Sequence, residues 1–416
     1  MKKMEYGQKA SKNNIIKVMF IYWISVIIWQ TIRPVANRSL IDSVVKISLF
    51  FPVLFYGWKN QNLKRFDTIA PYFLVFLLTQ MTTLIFDSGE VGISSLITII
   101  FMMMQIVIFL IFLPEEKASV SMLETLCKGL VVVGVVMSLY NVIFNWGRFR
   151  LVFSVSVNAY GNECKSFLYS NHEFGIYLSA ALLSLLWFYF KKRIKEIFVL
   201  LIGVLLIVNL LSTYSRTAIL GLIAASLILV FFYSKKTFAI VLSVIAVLLI
   251  VALSNDFVND LVFGKIMKGS FVEGEVLDEE RGNMYAQEWA AFRSGSLMQI
   301  LFGQGYVGAA KYGGHDAYLI ILLTGGVVMF GFFAFMICFG IYQSFKVLKQ
   351  DRGTGALLFG YQVFALLYMV AQTPILFYSS MDSFFITMIA ILVPFYISNG
   401  IHDKNEEKDG DESRSN

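Results

Sequence analysis

The sequence predicts an all-α polytopic membrane protein with about 12 transmembrane helices. Three observations carry that prediction. Of the 416 residues, 57% are hydrophobic and only 15% charged, and mean hydropathy is +0.71; a soluble chain carries about 25% charged residues. Apolar runs near the ~20 residues needed to cross a hydrocarbon core recur in regular order. Lys and Arg concentrate in alternate connections between those runs. In hydrocarbon a backbone amide must find its partner inside the segment, so each run is read as a helix.

In chain order the runs lie at 15–32, 44–58, 68–86, 91–113, 129–144, 174–190, 197–212, 218–233, 237–254, 317–345, 354–371 and 375–397. The second is short and carries Lys46 and Pro52, and the seventh is barely long enough to span. Lys2, Lys3, Lys9, Lys12 and Lys17 lead into the first run, and no Ala-x-Ala site follows it, the pattern of a signal anchor. With the N-terminus inside, about 22 Lys and Arg fall on the cytoplasmic side and about 11 outside, the bias that orients membrane helices. Both termini are then cytoplasmic. Residues 1–401 form the membrane domain, and 402–416, with six acids and three bases, reads as a disordered cytoplasmic tail.

The two long connections, 145–173 and 255–316, both fall outside, which puts the work of the molecule on the external face. Within the second, Arg281, Tyr285, Trp289 and Phe292 recur at helical spacing. Asp278 is placed to cap that helix, and Glu279 and Glu280 suit its first turn. Its aromatic stripe fits either an amphipathic helix lying at the membrane interface or rings that pack the loop against the spans.

Other classes are excluded on simple grounds. The net charge of +6 is modest and follows membrane topology, so no nucleic-acid partner is expected. Cys127, Cys164 and Cys338 fall inside, outside and within the bilayer, which indicates neither a disulfide framework nor a thiolate metal site. Asp409-Gly410-Asp411 sits in the tail and Glu273-Gly274-Glu275 lacks ligand company, so no metal and no cofactor are expected. No P-loop, nucleophile elbow or dinucleotide fingerprint is convincing.

The candidate chemistry rests on few residues. His315 follows Gly313–Gly314 and precedes Asp316 and an apolar run, at the outer N-terminus of a helix. The helix dipole there disfavours imidazolium, so a neutral ring is available to take a proton from a hydroxyl. Arg216, in Ser215-Arg216-Thr217, lies in a hairpin too short for incidental loop charge; it either snorkels to headgroups or binds phosphate through its planar fork. His172 is the other external histidine. Arg148 and Arg150 bind further phosphate or acceptor, or belong to a solvated loop. Together these residues point to a site for a lipid-linked phosphate, in which two arginines stabilise a departing diphosphate and a histidine activates the attacking hydroxyl.

The same residues resemble a known family. Ser215-Arg216-Thr217-Ala218 is similar to its Ser-Arg element. Arg281, with Trp289 eight residues on, is similar to its Arg-then-Trp loop helix. Leu301-Phe302-Gly303-Gln304-Gly305-Tyr306 is similar to its Leu-x-Gly-x-Gly stretch, and Gly314-His315-Asp316-Ala317-Tyr318-Leu319 with Leu323-Thr324-Gly325-Gly326 to its His-Asn-x-x-Leu…Gly element. This is the pattern of the O-antigen ligase and polysaccharide polymerase (Wzy-type) superfamily, covering about 212–328 in detail. Asp316 stands where the family often has Asn, and Ser170-Asn171-His172 is only loosely like its Asn-Pro-Asn turn.

The resemblance implies a GT-C-like, inverting, metal-independent glycosyltransferase of the bacterial cell membrane. Its substrate is an undecaprenyl-diphosphate-linked oligosaccharide used on the external face. Its partners are membrane lipids and the chain-length regulator and flippase of the same pathway. By motif, Arg216 and Arg281 bind the diphosphate and His315 is the base, with Arg148, Arg150, Arg293, Asp316 and Trp289 as substrate-binding candidates. A ligase with another acceptor shares the motifs. A flippase or transporter would place ionisable groups mid-bilayer, and few spans here do; Asp382 is the clearest exception.

Overall fold

The computed structural model describes residues 120–154, 162–168, 170–255, 275–312, 316–372 and 386–395, with isolated positions 48, 51, 52, 55, 100, 376, 397 and 398. Apart from those positions, the first four expected spans, the tail 402–416 and Asp382 lie outside the described residues. Every described element is helical.

Helices α1 (Val120–Phe144), α2 (Asn171–Phe190), α3 (Glu196–Ser212), α4 (Arg216–Tyr233) and α5 (Lys235–Ser254) match the fifth to ninth expected runs. Next come α6 (Glu275–Arg293), α7 (Leu297–Phe302) and α8 (Gly305–Ala310), all within the second long connection. Then α9 (Ala317–Gln350) and α10 (Arg352–Met369) match the tenth and eleventh runs, and a π-helical turn, Met388–Leu392, falls in the twelfth. Among the described residues four segments are long and apolar enough to cross a membrane: Leu123–Phe144, Asn171–Phe190, Arg216–Tyr233 and Ala317–Gln350. α3 is apolar but shorter.

Outward faces carry the signature of lipid contact. On α1, Val132, Val136, Leu139 and Ile143 are exposed at helical spacing, while Leu126, Leu130, Met137 and Asn141 are buried. On α3, Ile197, Leu200, Leu201 and Val204 are exposed, while Leu206, Asn209 and Leu210 are buried. Apolar outside and partly polar inside is the reverse of a water-soluble helix pair.

The bundle runs up and down. Gly175 of α2 approaches Ser215 and Ala218 of α4, and Phe190 stacks on Tyr233 at 4.2 Å, so α2 and α4 are parallel. Gly221 meets Phe364 and Gly360 meets Ala225, so α10 runs antiparallel to α4. The Tyr318 hydroxyl donates to the Leu366 carbonyl at 2.8 Å, which brings the start of α9 to the same end. The N-termini of α2, α4 and α9 and the C-terminus of α1 therefore share one end. Lys191, Arg193 and Asp351 occupy the other.

Two boundaries depart from the hydropathy reading. α1 begins at Val120 rather than 129, because Glu124 pairs with Lys128 at 3.5 Å and Arg193 at 3.8 Å, and paired charges do not interrupt a helix. α9 is not one straight span. Its 34 residues would reach about 51 Å, well beyond a ~30 Å hydrocarbon core. Gly326, at φ 68° and ψ −168°, kinks it after nine residues, a conformation few other residues adopt.

Candidate functional site

The kink receives α7. Gly303, itself at φ 84°, lies against the backbone of Thr324 and Gly325, and Gly326 lies against that of Leu301 and Phe302; a side chain at either glycine would collide with main chain. The Gln304 amide donates to the Leu323 carbonyl at 2.6 Å. Thus 301–306 and 323–326, separate stretches of sequence, form one interlocked backbone contact. α7 starts with a capping box, in which Ser296 and Gln299 bond reciprocally.

α6 closes over this contact. Its Ala291 carbonyl accepts from Gln304 Nε2 at 3.2 Å, and Ala291, Ala309 and Leu323 form a small buried cluster with Phe292 and Tyr312 against it. The buried face of α6 is not the aromatic stripe alone. Met284 and Tyr285 are half-buried and Glu288 and Ala291 buried, whereas Trp289 is 41% exposed. Arg293 lies over the Trp289 ring, 4.9 Å from its centroid. Trp289 and Arg293 thus pair on the outer face, away from Glu288. Arg281 belongs to α6, two turns before Glu288, or about 10 Å along the axis.

Glu288 is the residue that sequence reasoning missed. It is fully buried, and neither carboxylate oxygen has a hydrogen-bond partner. Burial pushes its carboxyl up to about 7, and the nearby Asp316 carboxyl adds to the rise. Burial also raises Asp316, which is held back by bonds from the backbone N–H groups of Leu319 and Tyr318. Those bonds, at 3.2 and 2.8 Å, make Asp316 the N-cap of α9. Asp316, a substrate-binding candidate by resemblance, is thus observed as a helix cap. His315 lies outside the described residues. Two neighbouring, desolvated carboxyls do not ionise together cheaply, which is why Glu288 lies well above the ordinary carboxylate range.

Arg216 opens α4 at the same end of the bundle and is half-buried. The turn before it is tightly made. Tyr214 has φ 51°, the Ser215 amide donates to Thr213 Oγ1 at 3.1 Å, and Asn171 Nδ2 donates to the Thr213 carbonyl at 2.9 Å. His172 Nδ1 lies 3.3 Å from Ser215 Oγ, so the second histidine touches the residue preceding Arg216. Arg148 and Arg150 follow α1 at this end and are exposed; Arg148 is close enough to act on the Cys164 thiol.

A buried polar seam anchors the first long connection here. Asn141 Nδ2 donates to Asn209 Oδ1 at 2.9 Å, and Asn145 Nδ2 to the Ser166 carbonyl at 3.2 Å. Ser166 Oγ donates to the Met137 carbonyl at 2.8 Å, and the Cys164 amide to Ser212 at 2.9 Å. Among the described residues no group of three or more His, Cys, Asp and Glu is placed to hold a metal. No family model matches the chain, and no curated protein matches it significantly.

Proposed function

We propose that this protein is a polysaccharide repeat-unit polymerase, for capsule, exopolysaccharide or O-antigen. A growing glycan leaves undecaprenyl diphosphate and joins the next lipid-linked repeat unit on the external membrane face. The reading includes a GT-C-like domain of twelve spans with both termini cytoplasmic. The observation that carries it is the interlock of 301–306 with 323–326: two of the four motif stretches that resemble the Wzy-type superfamily meet through their backbones, beside the helix that bears Arg281.

In this reading the acceptor hydroxyl attacks the anomeric carbon, His315 takes its proton, and Arg216 and Arg281 stabilise the departing diphosphate. A protonated Glu288 keeps one negative charge away from that diphosphate. The test is reconstitution of purified full-length protein with lipid-linked repeat units. Wild type yields a ladder of chain lengths. His315→Ala loses ~100-fold or more, the usual worth of a positioned base. Arg216→Lys keeps the charge but not the fork, and is impaired. Full polymerisation by His315→Ala overturns the base assignment, and unimpaired Arg216→Lys overturns the diphosphate role of Arg216.

A further inference from the structure

The opposite end of the bundle holds a groove of about 590 Å³ between the α4–α5 and α9–α10 turns. Lys235, Lys349 and Arg352 line it together with Phe231, Phe232 and Leu348. No carboxylate is among the described residues that line it. Asp351, next to Arg352 in sequence, is committed elsewhere: both its oxygens accept from Lys191 Nζ at 2.7 Å. Lys235, Lys349 and Arg352 are all exposed and form no ion pair among the described residues. Three like charges brought to one concavity repel one another unless an anion from outside the chain neutralises them.

The walls are not those of a free-anion site. Phe231 in the lining is 40% exposed, and Phe345, beyond the lining and one turn before Leu348 on α9, is 41% exposed. Phe232 meets Phe345 edge-on at 6.5 Å and Phe359 at 5.5 Å, so an aromatic floor continues from the groove along the helices. An occupant that satisfies both halves has an anionic head and an apolar body. We propose that this groove binds one anionic phospholipid, its phosphate among Lys235, Lys349 and Arg352 and its acyl chains against Phe231 and Phe345. The assignment is independent of the glycosyl-transfer reading.

The experiment is native mass spectrometry of delipidated full-length protein in detergent, titrated separately with phosphatidylglycerol, phosphatidylcholine and inorganic phosphate. Wild type retains one phosphatidylglycerol in preference to phosphatidylcholine, and phosphate alone does not compete at equal concentration. The triple variant Lys235→Gln/Lys349→Gln/Arg352→Gln weakens that retention about tenfold or more, in line with the surface attraction of each cation for acidic lipid. A control, Lys128→Gln/Lys192→Gln/Lys195→Gln, removes three exposed charges at the same end but outside the groove and leaves retention unchanged. Lys349→Gln alone gives a smaller loss and serves if the triple variant melts early. Equal retention by the groove variants, or equal loss in the control, overturns the site. Phosphate competing as well as the lipid overturns the lipid as occupant.

Discussion

Where α2 meets the α9–α10 turn, Lys191 bonds both oxygens of Asp351, and Asp351 also caps the Gly353 and Thr354 amides. Where α4 and α9 begin, Glu288 is buried with both oxygens unbonded, and Thr324 Oγ1 beside the kink is likewise buried without a partner. The first end pairs its partly buried charges within the chain, although Trp187 Nε1, one turn before Lys191, is buried without a partner among the described residues. The second keeps polar groups in reserve, held by a backbone interlock that admits no side chain. The difference lies in the charged groups: the Asp351 carboxylate at the first end is fully bonded, and the Glu288 carboxyl at the second end has no bond among the described residues.

Gly326→Ala is the strongest way to break that contrast. The new methyl meets the Leu301 and Phe302 backbone at a positive φ, so a loss of about 3 kcal/mol or more is expected, read as a fall in melting temperature in detergent. If Gly326→Ala melts like wild type, the interlock is not what holds the second end.

Glu288→Gln sharpens the contrast through pH. The folded value near 7 lies above the ordinary 4.5, so the stability tied to this carboxyl is fully present below 4.5. Between 4.5 and 7 the unfolded chain gives up its proton while the folded chain keeps it, and stability falls by up to about 3 kcal/mol. The Gln variant should lose this fall in melting temperature across that window. An unchanged pH profile in the variant would show that Glu288 titrates normally.

Asp351→Ala gives the smallest of the three effects, about 1–2 kcal/mol, because the pair is partly solvated. Burial raises the Asp351 carboxyl, but the bonds from Lys191 and Thr354 outweigh it and leave it below its ordinary value of 3.8. Its contribution is therefore present above 3.8 and is lost as pH falls through the lower folded value. Acid melting of wild type and variant should converge there.

The described spans were legible because hydropathy is a sum over many residues, and two errors of boundary had local causes. The run 317–345 contains Gly325 and Gly326, which a hydropathy sum passes over; only contact with α7 shows that the chain turns there. α7 itself announces its start, since Ser296 and Gln299 stand at capping-box spacing. Glu288 was hidden for a different reason. On a polar helix the aromatic stripe is the visible periodic signal, and an acid one position before Trp289 reads as solvated. α8 and α9 pack on Ala291, one turn further along α6, and that tertiary contact is one no local pattern encodes. The capping role of Asp316 was readable from its place before an apolar run, whereas its proximity to Glu288 required the fold.

Cys127 and Cys164 are sealed in the core, and burial further pushes the Cys164 thiol up, away from the reactive thiolate. Cys338 is exposed, but midway along the apolar segment after the kink, where a water-borne maleimide finds little purchase. The native chain is thus nearly silent to aqueous alkylation, and a reporter cysteine introduced at position 315 would tell from which compartment that residue is reached.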